Sequence, residues 1–114
     1  MSSTAPKINA GHANQPYVRL ELTNGDSCEI YLQGAHLTSW RCQGEEQLFL
    51  SRQAEFAPGK AIRGGVPVIF PQFGAFGPGA KHGFARNRSW QLTAATADSI
   101  DFSLLSDEQT LKAW

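Results

Sequence analysis

From Tyr17 the apolar and polar positions alternate with a period of two. Val18, Leu20 and Leu22 alternate with Arg19 and Glu21, which predicts a half-buried strand. Asn24 and Gly25 follow, a strong hairpin signal because both residues tolerate positive φ. Cys28, Ile30 and Leu32 then alternate with Glu29 and Tyr31, predicting the return strand, and Gly34 breaks the run. Residues 35–42 (AHLTSWRC) predict a third strand that stops at Gln43, Gly44, Glu45 and Glu46, and residues 47–50 a short fourth. Residues 66–70 predict a short buried strand, although Pro67 cannot donate to a ladder. Residues 89–95 and 100–105 predict a second hairpin, turned at Ala97, Asp98 and Ser99. No window holds helical apolar spacing over three turns. Short strands separated by turn residues predict an antiparallel all-β sandwich or barrel. Residues 1–15 are expected to form a loose N-terminal arm, and residues 16–114 belong to one domain.

Composition narrows the function classes. The 114 residues carry ten Lys and Arg against ten Asp and Glu, so the formal charge is zero. Nucleic acid and anionic membranes need a basic surface, so neither is expected as a partner. No apolar run approaches the ~18 residues of a membrane span. The polar N-terminus lacks the apolar stretch of a signal peptide, which makes a cytosolic location the expectation. There Cys28 and Cys42 are expected as free thiols.

Gly and Pro are unevenly placed: 11 of the 17 fall between Pro58 and Gly83. Regular helix does not survive that density. The same stretch carries Ile62, Val66, Val68, Ile69, Phe70, Phe73 and Phe76, which a flexible linker does not. An ordered, partly buried loop is expected, and such loops often hold ligands.

His12, His36 and His82 lie far apart and neither Cys has a CxxC partner, so no metal site is expected. Residues 74–81 (GAFGPGAK) approach a phosphate loop, but the Lys is one place late and no helix follows. No G-x-S-x-G occurs; Ser39 and Ser51 have no evident base, and Cys42 is expected to pack as a small apolar group. A cationic set remains: Lys60, Arg63, Lys81, His82, Arg86 and Arg88. Lys60 and Arg88 are taken as solvated charge. Arg63 precedes Gly64 and Gly65, where glycine backbone lets a ligand approach closely. His82 and Arg86 share a face if residues 82–86 form one helical turn. Two Arg and a Lys can chelate a phosphate or carboxylate. Aromatic rings could equally carry an uncharged sugar, and plain structural roles stand beside both readings.

At these residues the chain resembles a known family. Gly34, Ala35, His36, Leu37, Thr38, Ser39 and Trp40, then GKAIRGGVPVIFPQFG at 59–74, then HGFARN at 82–87 and Trp90 resemble the hexose-6-phosphate mutarotases. These are also called glucose-6-phosphate 1-epimerases, within the aldose 1-epimerase, galactose mutarotase-like superfamily. The resemblance runs from about Val18 to Trp114 and covers the N-terminal part of a longer family chain. It implies a large antiparallel β-sandwich, truncated here, of which residues 16–114 are one portion.

The resemblance implies interconversion of the α and β anomers of a hexose 6-phosphate, without a cofactor. A base takes the anomeric hydroxyl proton, an acid protonates the ring oxygen, the ring opens, C1 rotates and the ring closes. Each positioned proton transfer contributes roughly 10²–10⁴-fold. The family's acid His and base Glu come from later segments, so no catalytic acid or base is expected within this chain. The substrate-binding cradle is implied at Arg63 and Arg86, with His82 an auxiliary to the sugar or its ring oxygen. Lys81 stands where relatives often carry a substrate-contacting Gln, and Gln72 is a weaker candidate. The alternative reading is a non-catalytic sugar-phosphate-binding domain or inactive fragment.

Overall fold

The computed structural model describes residues 7–50, 54, 56, 61–70, 83–96 and 98–105. Among these the strands are β1 (Ile8–Ala10), β2 (Pro16–Glu21), β3 (Ser27–Tyr31), β4 (His36–Cys42), β5 (Glu45–Glu46), β6 (Gln91–Ala95) and β7 (Ile100–Ser103). They form an antiparallel five-stranded sheet in the order β1-β2-β3-β4-β5 and an antiparallel β6-β7 hairpin. The all-β antiparallel class expected from the alternation is the class observed. Among the described residues no helix is long and apolar enough to cross a membrane.

Turn chemistry sets the strand order. The β2–β3 turn closes with the Gly25 amide on the Leu22 carbonyl at 2.9 Å, and Gly25 takes φ +94°. Gln43 and Gly44 both take positive φ, 54° and 81°, the backbone of a tight two-residue hairpin. That turn returns the chain at once, so Glu45 and Glu46 pair with Cys42 and Arg41. The fourth strand therefore sits at 45–46 rather than at 47–50; of that segment only Leu50 bridges, to Gly64. Residues 66–70 make single bridges at Val66 and Phe70 instead of a strand, as a proline without an amide hydrogen requires at Pro67. Within the N-terminal arm, Ile8–Ala10 adds an exposed edge strand to β2 that the period-two pattern misses.

The register places Tyr17 opposite Tyr31, and Tyr31 opposite His36. Direct antiparallel partners share a face. Tyr17, Tyr31 and His36 therefore stand on one face, while Val18, Ile30 and Leu37 stand on the other. The alternation places Tyr31 with Glu29 on the polar side. It is instead 2% exposed and centres the core, with Phe56 and Ile62 against it. Its ring lies 5.3 Å from Tyr17 and 4.8 Å from Phe56, centroid to centroid. Its hydroxyl accepts the His12 amide at 3.0 Å, so the buried phenol oxygen is satisfied. Val18, fully buried, fills the opposite face. Each such side chain contributes roughly 1.5–3 kcal/mol of burial. Both faces at this end of the sheet are thus covered, and the Tyr31 face is covered by the segment that leads into Arg63.

Candidate functional site

Arg63 sits on a turn clipped to the start of β4. Leu37 and Val66 exchange both backbone hydrogen bonds, at 3.1 and 2.8 Å. The Gly65 amide donates to the Phe49 carbonyl at 2.7 Å. His36 Nε2 donates to the Gly64 carbonyl oxygen. Gly64 and Gly65 take φ of 103° and 63°, which other residues rarely adopt. The sequence pattern assigns these glycines to ligand approach. At Gly65 the close neighbour is the protein itself: a Cβ there would collide with the Leu37 carbonyl oxygen. The glycine lets the Arg63 turn lie flat on β4.

Arg86 sits in a 3₁₀ turn, Ala85–Asn87, held by the β3–β4 connection. The Gly34 amide donates to the Arg88 carbonyl at 2.6 Å, and the Trp90 amide to the Leu32 carbonyl at 2.7 Å. Trp90 Nε1 closes the turn on the Ala85 carbonyl at 2.9 Å. The Phe70 carbonyl accepts the amides of Phe84 and Ala85, at 2.9 and 3.2 Å. One end of the β3–β4 hairpin therefore anchors both arginine turns, and Phe70 ties the two turns to each other.

Between them lies a cavity of about 420 Å³, lined by Arg63, Arg86, Gly64, Gly65, Ile62 and Ile69 among others. That volume suits a small-molecule site. Arg63 is exposed and Arg86 half-buried, which gives the cavity an open mouth and a fixed wall. Among the described residues that line it, none is a carboxylate. Beside the cavity, sharing Ile69, is an apolar groove of about 430 Å³ with Phe70, Phe84 and Trp90. Arg88 lies with its guanidinium carbon 5.9 Å from the Phe84 ring centre, a cation–π contact that agrees with a structural role.

Of the residues singled out in the sequence, Arg63 and Arg86 come together. Lys60, Gln72, Lys81 and His82 lie outside the described residues. The described helical turn covers Ala85–Asn87. Among the described residues no group of three or more His, Cys, Asp or Glu could hold a metal ion. The sequence pattern gives His36 no role of its own beyond its place in the Gly34–Trp40 block. It is wholly buried and bonded to the Gly64 carbonyl, behind the Arg63 turn. Burial, with a smaller contribution from the Arg86 charge, pushes its pKa down, while the Gly64 bond partly opposes this. The available signal was its period-two spacing with Thr38, which is also buried.

These features define an all-β protein with a cationic cavity of small-molecule size. Residues 18–114 match the aldose 1-epimerase family, and the chain belongs to it. It is 47% identical over 96 residues to a Cenchrus ciliaris protein named as a candidate glucose-6-phosphate 1-epimerase, covering 75% of this chain and 29% of that one. An Escherichia coli K12 protein of the same name is 47% identical over 93 residues, with 73% and 31% covered. The crystal structure of a candidate mutarotase, YeaD, from Salmonella typhimurium superposes with a TM-score of 0.81 at 37% identity, covering 96% of this chain and 39% of that one. The crystal structure of HI1317 gives 0.76 at 35% identity, with 94% and 44% covered. The chain thus spans roughly a third of the length of the curated relatives it matches.

Proposed function

We propose that this chain supplies the sugar-phosphate cradle of a hexose-6-phosphate mutarotase. The observation that carries the reading is the placement of Arg63 and Arg86 on one cavity, each on a turn anchored to the same hairpin end. Guanidinium groups match phosphate oxygens in a fork and keep their charge at any working pH. Arg63, at the open mouth, takes the 6-phosphate, and Arg86 orients the sugar hydroxyls. Lys81 and His82 are assigned to the same substrate from the family resemblance alone. The names of the relatives support the substrate class.

In the proposed reaction the anomeric hydroxyl loses its proton to a base, while an acid protonates the ring oxygen. The bond from C1 to that oxygen breaks, giving the open-chain aldehyde. Rotation about C1–C2 and reversal of the transfers gives the other anomer. Proton inventory is unchanged over the cycle, so no cofactor is consumed. Arginine cannot act as the base, and the acid and base are assigned to the length of the family domain beyond these residues.

The test is titration of the chain with glucose 6-phosphate, glucose and inorganic phosphate, followed by NMR. Anomer exchange is then measured in a chimera that adds the remaining length of the Salmonella typhimurium relative. Binding of glucose 6-phosphate well above glucose, with exchange in the chimera, is expected. Equal binding of the two sugars overturns the phosphate assignment. The carboxylate-free lining of the described cavity favours a second reading, a binding domain without turnover; binding without exchange in the chimera would establish it.

A further inference from the structure

We infer that His36 is the positioning residue of the Arg63 turn, an inference that rests on the proposed phosphate role of Arg63. The Gly64–Gly65 peptide unit is pinned from opposite sides. Its carbonyl accepts from His36 Nε2, and its amide donates to the Phe49 carbonyl at 2.7 Å. Gly64 and Gly65 both lie at positive φ, where a glycine pair turns over at little steric cost. Without the imidazole, a partly buried carbonyl loses its donor, and the Gly64–Gly65 plane is held at one edge only. A bulkier residue cannot stiffen the turn, because a Cβ on Gly65 would meet the Leu37 carbonyl and stand 3.2 Å from His36 Nε2. Rigidity therefore has to come from the side chain below.

Only one imidazole state serves. A carbonyl needs a donor, so Nε2 carries the hydrogen and Nδ1 the lone pair. Nδ1 is buried and has no hydrogen-bond partner among the described residues. A second proton would create an unsatisfied buried N–H beside the Arg86 charge. The ring is accordingly held neutral as the Nε2–H tautomer, with its hydrogen committed to the Gly64 carbonyl.

The experiment compares His36→Gln with His36→Asn. The Gln amide nitrogen reaches the place of Nε2, whereas the Asn amide reaches only that of Nδ1. In His36→Asn, glucose 6-phosphate affinity is expected to fall about ten-fold, the scale of one hydrogen bond, with glucose affinity changed far less. The Gly65 amide should exchange its hydrogen faster in the same variant. His36→Gln should restore both readouts. Equal loss in the two variants, or an unchanged Gly65 amide in folded His36→Asn, overturns the inference. A wild-type chain that fails to bind glucose 6-phosphate sinks the proposed function alone, since Gly65 exchange still tests the positioning. Where the variants do not fold, the imidazole ¹⁵N shifts of the wild type decide: a protonated Nδ1 with a bare Nε2 overturns it.

Discussion

Gly34 and Arg86 touch backbone to backbone: a side-chain carbon at position 34 would stand 2.5 Å from the Arg86 carbonyl oxygen. Gly34 also takes φ +76°. Alanine there would meet both a steric clash and a left-handed backbone. Gly34→Ala is expected to destabilise the chain by about 1–3 kcal/mol, the usual range for overpacking and incompatible φ. Because the clash is with the Arg86 turn, glucose 6-phosphate affinity should fall with it. Denaturant unfolding and a phosphate titration on the same sample check this. Unchanged stability would mean that the β3–β4 turn does not brace Arg86.

The buried His36 makes stability depend on pH. Its folded pKa lies below the ordinary value of 6.5, chiefly through burial, and the charged group facing it is Arg86. At neutral pH both folded and unfolded forms are neutral there, so nothing is lost. As pH falls through the unfolded value, the unfolded chain takes up a proton and the folded chain does not. Stability then declines by up to about 1.4 kcal/mol per pH unit from this group. His36→Gln should remove that component of the slope. Urea unfolding of both proteins between about pH 7 and pH 5 measures the difference, with the other histidines common to both. Parallel slopes would contradict a neutral, desolvated His36.

Much of the sheet was legible because its strands obey a plain rule. Val18 and Leu20 against Arg19 and Glu21 mark β2, and Asn24 with Gly25 marks its turn. The rule fails where the environment changes along a strand. Tyr31 follows Glu29 on the polar parity, yet Phe56 and Ile62 cover that end of the face, so the tyrosine is core. His36, its register partner, is buried too, with the Gly64–Gly65 turn against its ring. A three-residue strand such as β1 carries too few positions to show a period. Arg63 and Arg86 were legible from local blocks of sequence. The residue beneath Arg63 was not, since a hydrogen bond spanning 28 positions leaves no local mark.

Arg63 gives the most direct test of substrate class. A charge-assisted bond to phosphate contributes about 1.5–3 kcal/mol, which is roughly ten- to a hundred-fold in affinity. Arg63→Ala should weaken glucose 6-phosphate by that factor and leave glucose nearly unchanged. Arg63→Lys should recover only part, because an ammonium lacks the fork that meets two phosphate oxygens. Calorimetric titration with both sugars separates the cases. An equal loss for the two ligands would move the phosphate away from Arg63.

Residues 1–114 alone are expected to bind the sugar phosphate without turning it over. The described cavity presents Arg63 and Arg86 and no carboxylate. A guanidinium gives hydrogen bonds but cannot accept a proton. His36 lies behind the Arg63 turn rather than in the cavity lining, and its Nε2 hydrogen is committed to the Gly64 carbonyl. Its other nitrogen is buried, so a proton placed there would lack a partner. Among the described residues neither half of the acid–base pair is thus at hand, and the roughly 10²–10⁴-fold contributed by each transfer is expected to be lost for both. Glucose 6-phosphate should bind to residues 1–114 while its α and β anomers interconvert at the buffer rate. Magnetisation-exchange NMR on the anomeric protons measures this directly, with the chimera as the positive control. Acceleration above buffer by residues 1–114, abolished by Arg86→Ala, would place a working acid and base inside this chain.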